Sequence, residues 1–201
     1  AMAAAVAGAR GPAPARLIIR PLAQAPRAPA GYEERSWAEL RAAVRAVFEL
    51  KPLPGGSQEE VYKLVEAVCV SGLEESLARR LEAECDSHVG RALASLAPLA
   101  RTAATAAPGS GAALLRGLEQ AWQDHCTALH SLCGLFLYLD RTHISSRRAA
   151  AAEGPRSLWD RGLGLFRRHL EGQEEVCGAA LLGTLDLVDA ARRAAAPAHA
   201  E

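Results

Sequence analysis

The sequence predicts an all-α protein, and three observations carry that prediction. Apolar residues recur at three- and four-residue spacing through most of the chain beyond residue 36. No stretch alternates Val, Ile or Thr with polar residues as a half-buried strand would. Ser-x-x-acid starts and Gly or Pro stops punctuate the periodic stretches. Together they predict a six-helix bundle behind an extended N-terminal arm.

Residues 1–35 form the arm. Pro12, Pro14, Pro21, Pro26 and Pro29 forbid a helix, and the cations Arg10, Arg16, Arg20 and Arg27 meet no acid before Glu33. One apolar run, Leu17-Ile18-Ile19, lies inside it between Arg16 and Arg20. The helical region is expected over 36–193, followed by a loose tail, 194–201. The first helix starts at a capping box, Ser36-Trp37-Ala38-Glu39, carries Trp37, Leu40, Val44 and Val47, and ends at Pro52 and Pro54. Ser57 caps the second, with Val61, Leu64, Val65 and Val68 on one face, and Gly72 stops it. The third runs from about Leu73 to Leu96 through Leu77, Leu81, Cys85, Val89 and Leu93. Residues 97–111, rich in Ala, Thr, Pro and Gly without periodicity, read as a loop. The fourth helix, 112–141, is the longest and carries Leu115, Leu118, Trp122, Leu129, Leu132, Phe136 and Leu139. After a second loop closed by Pro155, Ser157 caps a fifth helix bearing Leu163, Phe166 and Leu170. The sixth, about 174–193, carries Val176, Ala180, Leu181, Leu185 and Val188.

Composition narrows the function. The chain has 201 residues, with 23 Lys+Arg against 23 Asp+Glu. Zero net charge argues against a general nucleic-acid binder, which needs excess cations to neutralise phosphates. No apolar run is long enough to span a bilayer, and Ala3 to Ala9 makes a poor signal peptide. Five cysteines without a C-x-x-C pair read as small buried hydrophobes in a reducing, intracellular setting.

Three motifs suggest chemistry, and each has a structural alternative. Cys126, His130 and Cys133 at i, i+4 and i+7 could offer three metal ligands, with His88 or Cys85 as a fourth; the alternative is a continued apolar stripe. Gly109-Ser110-Gly111 precedes a helix but lacks the Gly-Lys-Ser/Thr of a phosphate loop. His125 beside Asp124 reads as a structural hydrogen bond rather than a general base. No acid–base pair in a recognisable cleft points to an enzyme, and no cofactor is expected.

Longer strings resemble a family. They are Glu59-Glu60-Val61-Tyr62, Cys85-Asp86-Ser87-His88-Val89, Trp122-Gln123-Asp124-His125-Cys126, Phe136-Leu137-Tyr138-Leu139-Asp140-Arg141-Thr142 and Ser157-Leu158-Trp159-Asp160-Arg161-Gly162. In this order, over about Leu17 to Ala191, they resemble the N-terminal repeat of a cullin; with Arg16-Leu17-Ile18-Ile19-Arg20, they resemble the cullin-four subfamily. The resemblance implies a solenoid repeat acting as a non-catalytic scaffold of a ubiquitin ligase. It also implies a triple β-propeller substrate adaptor as partner and a nuclear and cytoplasmic location. By the same resemblance the adaptor meets Leu17, Ile18, Ile19 and Arg20 of the arm, Gln58, Glu59, Tyr62 and Glu66 of the second helix, and Tyr138 and Arg141 of the fourth. Tyr62 is expected on a polar face opposite Val61, Leu64, Val65 and Val68, apolar in body with a polar tip. The chain carries no region resembling the RING-binding part, so the RING subunit is not expected to bind it. Direct nucleic-acid or membrane contact is likewise not expected. The opening Ala1-Met2 and the end at Glu201 raise the alternative of an incomplete gene model without independent function.

Overall fold

The structure, a computed structural model, describes residues 29–55, 57–105, 111–146 and 157–195. Residues 1–28 of the arm, with Leu17, Ile18, Ile19 and Arg20, residues 106–110 of the first expected loop, residues 147–156 of the second and the end of the tail lie outside the described residues, while Tyr32–Arg35 of the expected arm are already helical. Among the described residues every regular element is helical.

Helix α1, Tyr32–Phe48, starts four residues before the expected capping box. Gly31, at φ 74°, turns the chain into it, a left-handed conformation that glycine adopts without steric cost. Glu33 and Glu34 then occupy the electropositive first turn and reach Arg80 of the third helix at 3.2 and 2.5 Å. Ser36 is therefore inside the helix and buried, not its cap. Tertiary pairing at the acidic pair overrode a local signal that was correct only in its residue types.

Helix α2, Gln58–Val70, begins as expected: Ser57 Oγ accepts from the Glu60 N–H at 3.2 Å. Gly72, at φ 78°, reverses the chain into α3, Glu74–Ala94. The expected loop at 97–111 is a short helix, α4, Ala97–Thr105. Pro98 sits in its first turn, where the missing N–H has no intrahelical partner to lose, and alanine is the best helix former. Only Ala100 of this helix is buried, so no apolar stripe announced it.

Helix α5, Gly111–Leu135, is the longest. The helical run expected to 141 is interrupted at Phe136, a fully buried turn residue, and resumes as α6, Leu137–Leu139. It passes into a π-helical turn, Asp140–Ile144, whose wide i→i+5 bond runs from the Ser145 N–H to the Asp140 carbonyl at 2.8 Å. Helix α7, Leu158–Glu171, is capped by Ser157, whose Oγ accepts from the Asp160 N–H at 3.1 Å. Helix α8, Glu174–Ala195, completes the fold.

Two apolar clusters form the interior. The larger gathers Leu40 and Val44 of α1, Val61, Val65 and Val68 of α2, Leu77, Leu81 and Cys85 of α3, Leu132 and Leu135 of α5, and Phe136, Leu139, Ile144, Leu158 and Leu165. The smaller gathers Val89 and Leu93 at the end of α3 with Leu96, Ala100, Leu114, Phe166, Val176, Ala179 and Ala180. Two glycines permit close crossings. A Cβ on Gly111 would lie 2.8 Å from the Gly183 Cα, so α5 and α8 touch backbone to backbone; a Cβ on Gly162 would lie 2.5 Å from Leu129.

Candidate functional site

Of the residues expected to meet the adaptor, Gln58, Glu59, Tyr62 and Glu66 lie on α2 and Tyr138 on α6, and these two helices pack directly against each other. Gln58, Glu59 and Glu66 of α2 are exposed, as is Arg141 in the π turn. Tyr62 and Tyr138 are half-buried, and Tyr138 packs against the larger core cluster. The geometry corrects one expectation. Val61, Val65, Val68 and Cys69 are the buried residues of α2, and Cys69 lies seven positions after Tyr62, on the same side of the helix. Tyr62 therefore flanks the buried stripe instead of standing opposite it. Part of its surface is covered by the domain and part is left open to solvent.

The charges of this face are partly matched from within. Lys63 Nζ lies 2.7 Å from Glu59 Oε1, an exposed i, i+4 pair that offsets the acid next to Tyr62. Lys63 was not singled out from sequence, although Glu-x-x-x-Lys spacing on a helix signals such a pair. Thr142 Oγ1 donates to the Tyr138 carbonyl at 2.7 Å, and Asp140 Oδ1 accepts from the Leu158 N–H at 2.9 Å. The segment that carries Tyr138 and Arg141 is thereby tied to the start of α7. No local spacing reveals that second bond, because its partners are 18 residues apart.

The metal alternative does not assemble. The i and i+7 positions of Cys126 and Cys133 are separated by about 10.5 Å of helical rise, too far for one ion to reach both. His130 between them is exposed, and Cys85 is buried. Among the described residues no three His, Cys, Asp or Glu side chains converge on one point. Burial pushes the Cys85 thiol up to about 12 and that of Cys133 to about 11, with the Asp140 charge adding to the latter, so neither offers a ready thiolate. His88, the other proposed ligand, instead stacks on Phe48 with ring centroids 4.0 Å apart.

The remaining motifs are structural where they are described. His125 is buried, its Nε2 3.1 Å from the Gly162 carbonyl, while the neighbouring Asp124 accepts from Gln120. Burial lowers the pKa of this ring, and the bond to Gly162 opposes that shift. Gly111 serves the α5–α8 crossing; Gly109 and Ser110 lie outside the described residues. No helix among the described residues is long and apolar enough to cross a membrane.

Elsewhere, the described residues present two apolar surfaces. Leu115, Leu118, Trp122, Leu163, Phe166 and Leu170 line an open groove of about 610 Å³ between α5 and α7. On α8, Leu181, Leu182 and Leu185 are 63%, 63% and 60% exposed, and Leu187 and Val188 are exposed as well. The surplus of apolar positions on that helix was legible; the groove was not, because each of its residues also fits an ordinary core stripe.

Comparison with known proteins bears on this arrangement. A family profile described as the cullin alpha solenoid domain matches residues 37–200. The chain is 30% identical over 177 residues to Cullin-4A of Homo sapiens, covering 88% of this chain and 22% of that protein. It is 29% identical over 173 residues to Cullin-4A of Mus musculus, covering 86% and 21%. Against Cullin-4 of Dictyostelium discoideum it is 28% identical over 166 residues, covering 82% and 19%. The chain thus spans about a fifth of the length of these relatives.

Proposed function

This chain belongs to the cullin family, and on that premise we propose that it is a non-catalytic scaffold module of a cullin-RING ubiquitin ligase, gripping a propeller-type substrate adaptor. The observation that carries the reading is the packing of α2 on α6, which sets half-buried Tyr62 and Tyr138 on adjoining elements. A half-buried tyrosine, apolar in body with a polar tip, suits an interface anchor. On the same α2 helix Gln58, Glu59 and Glu66 are exposed polar groups, as is Arg141 in the π turn next to α6. The arm adds Leu17, Ile18, Ile19 and Arg20: three adjacent aliphatics that gain by leaving water, beside a cation able to meet a rim carboxylate. The module works inside the cell, in nucleus and cytoplasm, as one unit of a longer scaffold whose RING subunit binds elsewhere.

The test is binding of the purified propeller adaptor by the Tyr62→Ala/Tyr138→Ala double variant. Loss of two anchors is expected to weaken binding by at least 30-fold, about 2 kcal/mol, with circular dichroism unchanged. Binding within threefold of the unsubstituted chain would overturn the assignment of this face. Deleting residues 1–22 is expected to speed dissociation without moving the melting temperature. A lowered melting temperature with unchanged dissociation would instead mean that the arm covers this chain's own helices.

A further inference from the structure

The element that presents Tyr138 and Arg141 is not a plain helix end. The long helix stops at Leu135, turns through fully buried Phe136, and continues as three residues of α6 and a five-residue π turn. A π turn, bonded i→i+5, is wider than an α turn and rare, and such turns are frequent at functional sites. Here the first residue of the turn is Asp140. Its backbone N–H donates to the Phe136 carbonyl at 2.9 Å and its carbonyl accepts from Ser145 at 2.8 Å, so its backbone is satisfied inside the segment. Its side chain points away, to another element: Oδ1 accepts from the Leu158 N–H at 2.9 Å.

That N–H is the first of α7 and has no intrahelical partner. Ser157 Oγ serves the Asp160 N–H two residues on, so one orphan donor is capped locally and another by a carboxylate from 18 residues upstream. The carboxylate lies at the electropositive end of α7, where a negative charge is favoured. Leu139 and Ile144, on either side of Asp140 in sequence, and Leu158 itself are all buried in the larger cluster. The segment is therefore held from beneath by packing and tied to α7 by the charge-assisted bond from Asp140.

We propose that Asp140 is the positioning residue of the partner-binding face: by capping α7 it fixes the π turn, and with it the directions of Tyr138 and Arg141 relative to α2. The binding part of this inference rests on the adaptor reading above; the positioning part does not. Asp140 touches no partner in this scheme. It acts through the backbone it holds.

The experiment compares Asp140→Ala, Asp140→Asn and Tyr62→Ala/Tyr138→Ala in the full chain, by hydrogen exchange and by adaptor binding. Removing the acceptor is expected to speed amide exchange about tenfold at Leu158 and over residues 137–146, leaving α1 and α3 unchanged. Adaptor dissociation is expected to speed up by a similar factor. Asn keeps an oxygen acceptor without the charge and is expected to restore most of both, a rescue that general loss of stability would not produce. Exchange that stays unchanged in Asp140→Ala, or rises equally in α1 and α3, overturns the positioning role. Local exchange that rises while adaptor binding stays intact, with the tyrosine variant binding-dead, overturns the link from that role to the partner. If the tyrosine variant still binds, the adaptor reading fails, and the exchange pattern alone then decides whether Asp140 positions the turn.

Discussion

The α5–α8 crossing supplies a graded test of the packing described above. Three glycines lie at or near it, and a methyl group at each meets a different obstacle. At Gly111 an added Cβ would lie 2.8 Å from the Gly183 backbone, which cannot rotate away, so the helices must part. At Gly183 the same atom would lie 3.2 Å from the Gly111 Cα and 3.5 Å from the Leu115 Cδ1, a tighter contact than usual but one that a few tenths of an ångström relieves. At Gly178, earlier on α8, nothing lies within 4 Å. Against these costs stands one gain: alanine inside a helix is better than glycine by about 1 kcal/mol. Overpacking a close contact costs about 1–3 kcal/mol. The expected order is then Gly178→Ala stabilising by about 1 kcal/mol, Gly183→Ala near neutral, and Gly111→Ala destabilising by about 1–2 kcal/mol, its helix gain being smaller in a first turn. At about 2–4 °C per kcal/mol for a domain of this size, the outer two should differ by roughly 4–12 °C in melting temperature. Thermal denaturation at one fixed low protein concentration reads this directly. A Gly111→Ala protein that melts with or above Gly178→Ala would refute the backbone contact between α5 and α8.

Other outcomes follow from single features. Replacing Ser157 by Ala removes the acceptor of the Asp160 N–H and should cost about 1 kcal/mol in denaturant titration; no loss would mean that water replaces the cap without penalty. Burial holds the pKa of His88 and His125 below the ordinary value of 6.5. The unfolded chain therefore takes up more protons than the native one as the pH falls below that value, so stability fully present above pH 6.5 is lost progressively as the pH falls from there through the lower native values. His125→Gln keeps a donor for Gly162 without titrating, and the melting-temperature difference between pH 7.5 and pH 5.5 should shrink; an undiminished difference would exclude His125 as a source. The exposed leucines of α8 should make the isolated chain self-associate. Sedimentation velocity should show concentration-dependent mass that Leu181→Gln/Leu185→Gln abolishes, and a sharp monomer at every concentration would contradict it.

What the residues disclosed by themselves was whatever is decided within one turn of helix. Ser57 and Ser157 were legible as caps because donor and acceptor are three residues apart. Ser36 had the same spacing and failed, because Gly31 starts the helix earlier and Arg80, far along the chain, holds Glu33 and Glu34. Helix α4 was illegible for the opposite reason: an Ala- and Thr-rich helix with one buried residue has no contrast between its faces. The π turn had no signature at all, since it is a choice of backbone bonding that many sequences permit. For the candidate face, the residue types and helix α2 could be named in advance, whereas Tyr138 and Arg141, expected on one continuous helix, lie on α6 and the π turn. That Tyr62 flanks the buried stripe, and that Asp140 reaches α7, depends on how elements meet, which neither spacing nor resemblance specifies.

The two apolar clusters are joined by shared helices, and this gives the repeat a mechanical character. α3 contributes Leu77, Leu81 and Cys85 to one cluster and Val89 and Leu93 to the other; α5 contributes Leu132 and Leu135 to the first and Leu114 to the second. With 21 and 25 residues these helices act as struts about 31 and 37 Å long, each clamped at both ends by close-packed side chains. A partner pulling on α2 and α6 cannot twist that end freely against α8; the whole body must turn. Over a 30 Å arm, each degree of such turning displaces the far end by about 0.5 Å. The repeat therefore transmits orientation as a lever does: under the proposed reading, a partner gripping the α2–α6 face sets the direction of α8 as well.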